Sequence, residues 1–461
     1  MAFRHGVYKS EVPTSIISPS QGYAGLPFIV GTAPVFMGDR TCVNKTKLVY
    51  TYEEAVSIFG YSDDWESWTL CEFIYAYFAL YNRSPAVLVN VFDPAKHKEE
   101  VSGAEYTSSS GSINLGQNVI SADNQTLYYD DEGNARISSS GTVNISRIVK
   151  AKPSLVTASD IIGGVNAQTG GKSGLELINN VFPKFRVIPG LIGCPKYSEL
   201  PEVAAVMRAK SENINGLFTC MSVVDIPSDS GGPEVYTDVP EWKNQHSYTS
   251  EREIVCWPKA ALGGKVYHLS TQVIGLMSKV DSERGDIPYK SPSNELLQID
   301  SGQTGGRYET WLTFEQANYL NSQGIMTALN WIGGWRAWGN RTGAYPASTD
   351  VKDVFIPVRR MMDYLGNTFI TTFWQKVDQP MSPRLIRTIV NSFNMYINSL
   401  VAIEALLGGR VEFREDENAY TDLMNGILKF HVLMTPPVPA EVIEGIFEYD
   451  PEYLSTLYEA L

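Results

Sequence analysis

The sequence lacks the features that mark membrane, secreted and nucleic-acid-binding proteins. No apolar run reaches the roughly 18–20 residues of a membrane span, and the longest candidates, such as Phe73–Leu80, have polar neighbours. The first residues, Met1–Lys9, contain no apolar stretch of the kind that a secretory signal needs, so we expect none. Only 37 Lys and Arg oppose 51 Asp and Glu, which argues against a DNA or RNA binder with its concentrated basic face.

Cysteine and histidine are also scarce, with five of each. An odd number of widely spread cysteines predicts reduced core residues of a protein made in a cytosol, not a disulfide framework. No two Cys or His residues have the spacing of zinc ligands, so we expect no metal site and no cofactor. The cysteines are Cys42, Cys71, Cys194, Cys220 and Cys256.

What is present indicates a folded globular chain. With 461 residues, 43% hydrophobic and 19% charged, the length predicts about three domains. The net charge of −14 is uneven, because residues 402–461 hold twelve acidic and only three basic residues. This acidic end is either a solvated surface or a segment that docks on a basic partner, and both interpretations stay open.

The N-terminal part predicts an arm followed by an α/β unit. The first two dozen residues are interrupted by Pro13 and other turn formers, which is typical of an extended arm or edge strand. Gly25–Ala33 is an apolar run bounded by turn formers and predicts a buried strand. A wide apolar stripe predicts a helix over Trp65–Tyr81, ended by Pro85, and Ala86–Phe92 predicts a second buried strand.

The middle of the chain changes character twice. Ser102–Ser146 is rich in Ser, Gly, Asn and Thr, with short alternating pieces, and predicts a small all-β insertion. A second α/β stretch follows from about Asp160 to Asn340. Within it, strands over Arg186–Ile192 and Leu217–Asp225, with a helix over Glu199–Asn213 between them, predict a parallel crossover.

The C-terminal part alternates differently. Two helices are predicted over Val354–Thr372 and Ser382–Leu407, the second ending at a glycine C-cap, Gly408-Gly409. Strands are predicted over Gly426–Met434 and Val442–Tyr449, and a short acidic helix is predicted from Pro451.

No catalytic motif survives inspection. Gly170–Ser173 resembles the end of a phosphate-binding loop, but Asn166 stands where its first glycine is required. No Gly-x-Ser-x-Gly motif or similar nucleophile setting accompanies the histidines. Asp281–Asp286 lacks calcium-loop spacing and predicts an ion-paired turn. The tryptophans Trp331, Trp335 and Trp338 are typical of core or interface anchors rather than a ligand cage.

Several motifs, in order along nearly the whole chain, resemble those of contractile tail sheath proteins of phages and phage-derived injection particles. The Gly6–Pro13 stretch resembles the opening arm of that family, and Phe28–Ala33 its first strand. Asp281–Gly285 with Lys290–Glu295 resembles an aspartate–glycine–proline–asparagine signature, carried here by Asp281, Gly285, Pro292 and Asn294. The stretch Trp338-Gly339-Asn340-Arg341-Thr342 matches a tryptophan–glycine–x–arginine–threonine motif, with Asn340 where alanine is more usual. Pro439–Glu441 resembles a late motif of the family.

The resemblance implies an α/β multi-domain fold whose middle domain is subtilisin-like but not catalytic. It also implies a β-rich insertion, an α+β C-terminal domain and extended N- and C-terminal arms. The expected division is an arm (1–24), an α/β segment (25–100), an outward-facing β-rich insertion (101–150), a subtilisin-like domain (151–345), an α+β domain (346–440) and an arm with an acidic helix (441–461).

The implied function is that of a structural sheath subunit, not an enzyme. Such subunits stack as six-fold rings into a helical tube around an inner tail tube, and contraction from a metastable extended state drives that tube through an envelope. The implied partners are further copies of the chain, the tube protein, baseplate and terminator proteins, without nucleic acid and without membrane insertion. Assembly is expected in the bacterial host cytoplasm, in a phage tail or in a released particle such as an R-type bacteriocin.

The resemblance also assigns roles to particular residues. The arms would add as strands to a neighbour's sheet, with contacts at Val7, Val12, Ile16, Val442, Ile446 and Phe447. Tube contacts would use Arg384 and Arg387 or the acidic end. The alternatives are another self-assembling structural or shell protein and, less favoured, a hydrolase.

Overall fold

The computed structural model describes residues 24–123, 125–229 and 231–459, and its first part alternates strands and helices. Within residues 24–97 lie β1 (Pro27–Gly31), β2 (Lys47–Val49), α1 (Tyr52–Phe59), α2 (Thr69–Ile74) and β3 (Ala86–Asn90). A π-helical turn, Tyr75–Leu80, continues α2. The strand, helix and strand predicted here are confirmed, although the helix begins at Thr69 and not at Trp65.

The β structure predicted for Ser102–Ser146 is confirmed, and it extends further on both sides, over residues 98–151. Their eight strands form three small sheets, β4–β11–β7, β6–β9–β8 and β10–β5, around a separate apolar cluster that includes Ile113 and Val119. The strands are β4 (Lys98–Ser102), β5 (Glu105–Ser108), β6 (Ile113–Gln117), β7 (Val119–Ala122), β8 (Tyr128–Tyr129), β9 (Asn134–Ile137), β10 (Gly141–Asn144) and β11 (Arg147–Ala151).

The next stretch returns to alternating strands and helices. Its first half contains α3 (Ala158–Ile162), β12 (Gly164–Val165), β13 (Lys172–Ser173), α4 (Val181–Phe185), β14 (Leu191–Gly193), α5 (Pro201–Glu212), β15 (Met221–Asp225) and α6 (Val239–Gln245). Its second half contains β16 (Glu253–Cys256), β17 (Lys259–Leu262), β18 (Lys265–Tyr267), α7 (Leu269–Ser282), β19 (Ser301–Thr304), β20 (Arg307–Thr310), α8 (Phe314–Asn321), β21 (Ile325–Trp331) and β22 (Gly334–Trp338).

Eight strands from these regions form one sheet in the order β2–β3–β1–β14–β15–β16–β21–β22. The six inner strands run parallel, and β2 and β22 pair antiparallel at the two edges. Helix α5 joins β14 to β15, so the predicted parallel crossover is confirmed. Strand β14 starts later than predicted, because Arg186 ends α4 with a left-handed φ of 62° and a proline follows at 189.

The C-terminal part forms a second apolar cluster on long helices. It contains α9 (Val351–Val354), α10 (Ile356–Phe373), α11 (Pro383–Ala402), β23 (Gly408–Glu412), α12 (Tyr420–Met424), β24 (His431–Thr435) and α13 (Thr456–Glu459). Strands β23 and β24 form a two-stranded antiparallel sheet that packs against α11. No helix among the described residues is both long and apolar enough to cross a bilayer.

Two C-terminal predictions need correction. Gly408-Gly409 is not a helix C-cap: α11 ends at Ala402, Glu404 makes the turn with a φ of 60°, and the glycines open β23. A Cβ at Gly409 would stand 2.8 Å from the Leu433 carbonyl oxygen and 3.0 Å from Ile397 Cγ2, so glycine lets β23 lie close to its neighbours. In addition, the strand predicted over Val442–Tyr449 is wrong for the described residues, among which this segment pairs with no strand.

Candidate functional site

Two of the sequence motifs meet at the edge of the main sheet. The Pro292–Asn294 turn runs beside β22, where the Asn294 backbone N–H donates to the Ala337 carbonyl over 2.6 Å. The Gly339 N–H donates to Ser293 Oγ over 3.0 Å. Asn294 occupies the left-handed region with a φ of 64°, which asparagine tolerates better than most residues. The two stretches, 45 residues apart, therefore form one structural unit.

The tryptophan–glycine motif connects this sheet edge to the C-terminal helices. Gly339 has a φ of 145°, and a Cβ there would stand 3.0 Å from Met326 Cα. Trp338 Nε1 donates to Asn318 Oδ1 on α8 over 2.9 Å. Buried Thr342 donates its hydroxyl to the Asp353 carbonyl over 2.6 Å, and its N–H donates to the Val354 carbonyl. The motif fixes α9 to the sheet.

Arg341, in the same motif, holds the start of the C-terminal arm, which we define as residues 441–449. Its guanidinium binds the Glu441 carboxylate through two nitrogens, with Nε 2.9 Å from Oε1. The guanidinium carbon lies 4.2 Å from the Phe355 ring centroid and 4.5 Å from that of Tyr345. This bidentate, stacked geometry suits arginine and not lysine. The Glu441 end of the C-terminal arm is therefore held at a fixed position on the rest of the chain.

Asp281 forms the most deeply buried ion pair of the described chain, with Arg360 of α10. Arg360 Nη1 lies 3.0 Å from Asp281 Oδ1, and Arg360 Nη2 also donates to the Ala24 carbonyl over 3.1 Å. Gly285, with a φ of 71°, closes the turn after α7. The predicted ion-paired turn at 281–286 is thus corrected, because the partner of Asp281 is on a distant helix. The pair joins α7, α10 and the start of the described chain.

The C-terminal arm beyond Glu441 is exposed. Val442 is 84% exposed, Ile446 90% and Phe447 98%, although apolar side chains of this size normally find cover. Sequence reasoning missed two further exposed apolar residues of the arm, Ile443 and Tyr449. Five of the eight residues that follow Glu441 are therefore apolar and exposed within the described part of the chain.

The remaining candidate residues that the structure describes make none of the contacts given above. Arg384 and Arg387 lie exposed on the first turns of α11. Val7, Val12 and Ile16 lie outside the described residues. Of the three tryptophans, Trp335 is buried, whereas Trp331 is exposed beside the β21–β22 turn and stacks on Phe314 at 5.8 Å between ring centroids. Trp335 is therefore a core residue, whereas Trp331 is a surface residue.

The carboxyl edge of the parallel sheet, where α/β enzymes place their sites, holds a buried polar network. His268 Nδ1 lies 2.8 Å from Glu72 Oε2, while its Nε2 makes no hydrogen bond in the described chain. Asp225 accepts hydrogen bonds from Ser198 and Ser270, and burial raises the pKa of its carboxyl. The serines thus bind the aspartate and not the histidine, which does not match the order of a Ser-His-Asp triad.

This network predicts a pH dependence of stability. Burial alone lowers the pKa of His268, but Glu72 outweighs it and raises the pKa from 6.5 to about 9. Because the folded-state pKa is raised, the stabilisation is complete below pH 6.5 and is lost as the pH rises to 9. It amounts to at most about 3–4 kcal/mol, at about 1.36 kcal/mol for each pKa unit.

We expect urea denaturation at pH 6.5 and pH 9.5 to show a larger loss of stability in the native chain than in Glu72→Gln. Glu66→Gln, at an exposed carboxylate, is the matched control, and it should lose as much stability between the two pH values as the native chain does. If the native chain and Glu72→Gln lose equal stability between pH 6.5 and pH 9.5, the pH dependence does not come from the His268–Glu72 pair.

Comparison with solved structures defines the class of fold. The contracted helical sheath of the anti-feeding prophage (AFP) aligns with a TM-score of 0.61 and 16% identity, over 98% of this chain and 100% of that one. The contracted sheath complex of the PVC extracellular contractile injection system aligns with a TM-score of 0.61 and 14% identity, over 98% and 99% of the two chains. The fold is that of contractile sheath subunits.

Sequence comparison makes the identification more specific. No protein-family model matches the chain. The tail sheath protein of Burkholderia phage BcepMu is 27% identical over 411 residues, 82% of this chain and 84% of that protein. The major tail sheath protein of Serratia phage KSP20 is 24% identical over 65% of this chain and 73% of its own length. The chain is a homologue of phage tail sheath proteins, and the resemblance predicted from its motifs is confirmed.

Proposed function

We propose that this chain is the structural, non-enzymatic subunit of a contractile tail sheath. The observation that carries the proposal is the C-terminal arm, whose apolar residues are exposed in the single chain and whose base is held by Arg341. Apolar residues that the described part of their own chain leaves exposed are expected to be covered by another molecule, and copies of the same chain supply an open-ended, heterologous contact. Such contacts build rings and helical tubes.

We propose that the arm adds as a strand to the β23–β24 sheet of a neighbouring copy. That sheet has two strands, and Asn394 already binds the outer side of β23, accepting from the Val411 N–H over 2.8 Å and donating to its carbonyl over 3.1 Å. The outer edge of β24 is therefore the edge that remains for a third strand. Backbone hydrogen bonds would tie the copies, and Val442, Ile446 and Phe447 would supply apolar contacts.

We propose that the body of the subunit moves as one unit during contraction. The buried Asp281–Arg360 pair and the Thr342 contacts connect the main sheet to the C-terminal helices, so large changes are confined to the arms. Energy for the movement would be stored in the extended lattice during assembly, without nucleotide hydrolysis. The resemblance further implies the division into six segments given above, including the subtilisin-like domain over 151–345.

The remaining partners follow from the same proposal. An inner tail tube, baseplate and terminator proteins would complete the particle, which would assemble in the bacterial host cytoplasm. Arg384 and Arg387, exposed on α11, are the proposed tube contacts. The N-terminal residues Val7, Val12 and Ile16 would act as a second arm. The insertion over 101–150, with its own apolar cluster, would face outward.

Negative-stain electron microscopy of the purified chain tests the proposal over a range of salt and protein concentrations. We expect hollow, striated, rigid tubes, because the contracted lattice is the lower-energy state. If the chain stays monomeric, purified tube protein is added as a template. Failure to form a sheath on that tube would refute the sheath assignment and favour another structural role.

A further inference from the structure

A groove lies between the amino ends of β14 and β15 and one face of α10. Its volume is about 490 Å³, within the range of pockets that hold buried side chains or small ligands. Most of its wall is apolar, and it includes Phe182, Leu217, Phe218, Tyr364, Ile370 and Trp374. None of the sequence motifs lines this groove, and the strand addition proposed above does not use it.

The groove exposes apolar surface and the positive charge of Arg186. Leu217 is 44% exposed and Trp374 60%, so both rims lack cover from the described residues. Arg360 and Asp363, which also line it, are committed to ion pairs with Asp281 and Arg252. Arg186, 6.0 Å from the Phe182 ring centroid, has no ion pair within the described ranges. The groove therefore suits an apolar segment that carries negative charge.

The end of the same chain has this chemistry. Residues 451–459 form a 3₁₀ turn continued by α13, and Tyr453, Leu454 and Leu457 are all exposed there. Tyr453 and Leu454 are four and three residues before Leu457, spacings that place both of them beside Leu457 on one side of the helical segment. The acidic residues Glu448 and Asp450 immediately precede this face. An amphipathic acidic segment and an apolar groove with a free arginine are complementary.

We propose that the terminal segment 450–459 of one copy docks in this groove of a second copy. This inference rests on the proposed sheath assembly, which brings the C-terminal arm to a neighbour. On one copy the groove and the β23–β24 sheet lie close together, because Tyr364 lines the groove and also packs in the apolar cluster that includes Val432 of β24, so an arm added to the sheet ends near the groove. Helix α10 contributes side chains both to the groove and to this cluster, and its diameter is about 10–12 Å with side chains.

A labelled peptide tests the docking without requiring strand addition. A fluorescein-labelled peptide of residues 448–461 is titrated with the full-length chain carrying Ile446→Asp and Phe447→Asp, which is expected to form no tubes and so to leave the groove open. All receptor variants are made in this background, and binding is followed by fluorescence anisotropy. We expect saturable binding that Leu217→Asp weakens by about tenfold or more. Leu296→Asp is the matched control, because Leu296 is also 44% exposed but lies beside β22, away from the groove, and it keeps the native affinity.

A second variant separates docking from a folding defect. A peptide carrying Leu454→Asp and Leu457→Asp acts on the receptor with Leu217 intact, and we expect it to bind at least about tenfold more weakly than the native peptide. Absence of native-peptide binding up to about 1 mM, or equal affinity for the receptor with and without Leu217→Asp, would overturn the inference. Tubes without peptide binding would refute the groove contact alone, whereas peptide binding without tubes would support it while the sheath proposal fails.

Discussion

Replacing Ile446 and Phe447 together by aspartate is expected to abolish tube formation while leaving the single chain folded. Both side chains are at least 90% exposed, so the free energy of unfolding should change by no more than about 0.5 kcal/mol. In a sheath contact, two carboxylates would replace the apolar groups that the neighbour covers, and burying an unpaired charge is strongly unfavourable. Electron microscopy measures the tubes and thermal denaturation measures the fold.

Tyr420→Asp with Met424→Asp is the matched control for this experiment. These residues are 81% and 85% exposed on α12, outside the C-terminal arm, so they test whether any added surface charge prevents assembly. We expect normal tubes from this control. Normal tubes from the Ile446 and Phe447 variant would show that the arm does not make the subunit contact.

Asp281→Ala is expected to cost about 3–5 kcal/mol of stability, because it leaves the Arg360 guanidinium buried without a carboxylate. Only 4% of Arg360 is exposed, so water cannot take the place of the lost partner. Urea denaturation measures the change. Glu100→Ala is the control, since its ion pair with Arg147 is more than half exposed on both sides and should contribute less than about 1 kcal/mol.

A double variant distinguishes the charge from the packing. Asp281→Leu combined with Arg360→Met removes both charges and keeps apolar volume, so most of the stability lost in Asp281→Ala should return. A loss below about 1 kcal/mol in Asp281→Ala would mean that the pair does not join α7 to α10 in solution.

Local patterns predicted much of this fold. The apolar run at Gly25–Ala33 and the helical spacing between Glu199 and Asn213 are properties of neighbouring residues, and the structure contains β1 and α5 there. The prediction of a helix C-cap at Gly408-Gly409 was wrong because glycine has two structural roles. It ends helices through a left-handed φ, but here it allows a strand to approach a helix closely.

The candidate site was predictable in composition but not in contacts. Arg341 is found from its motif, yet its partner Glu441 is 100 residues further along the chain, and no spacing rule connects them. Arg360 belongs to no motif, although it is the partner of Asp281. Long-range ion pairs depend on how whole elements pack, and a single sequence read by itself contains no signal for that packing.

The proline run between β24 and Glu441 has a consequence for the concentration at which subunits assemble. Three of the four residues 436–439 are proline, and the run is held at one end by β24 and at the other by Arg341. Proline has few conformations to lose, so the exit direction of the arm is set before any neighbour arrives. On assembly, only the residues beyond Glu441 then lose conformational entropy, at about 1–2 kcal/mol per backbone residue. A stiffer exit lowers the critical concentration for polymerisation, and glycines in place of these prolines would raise it.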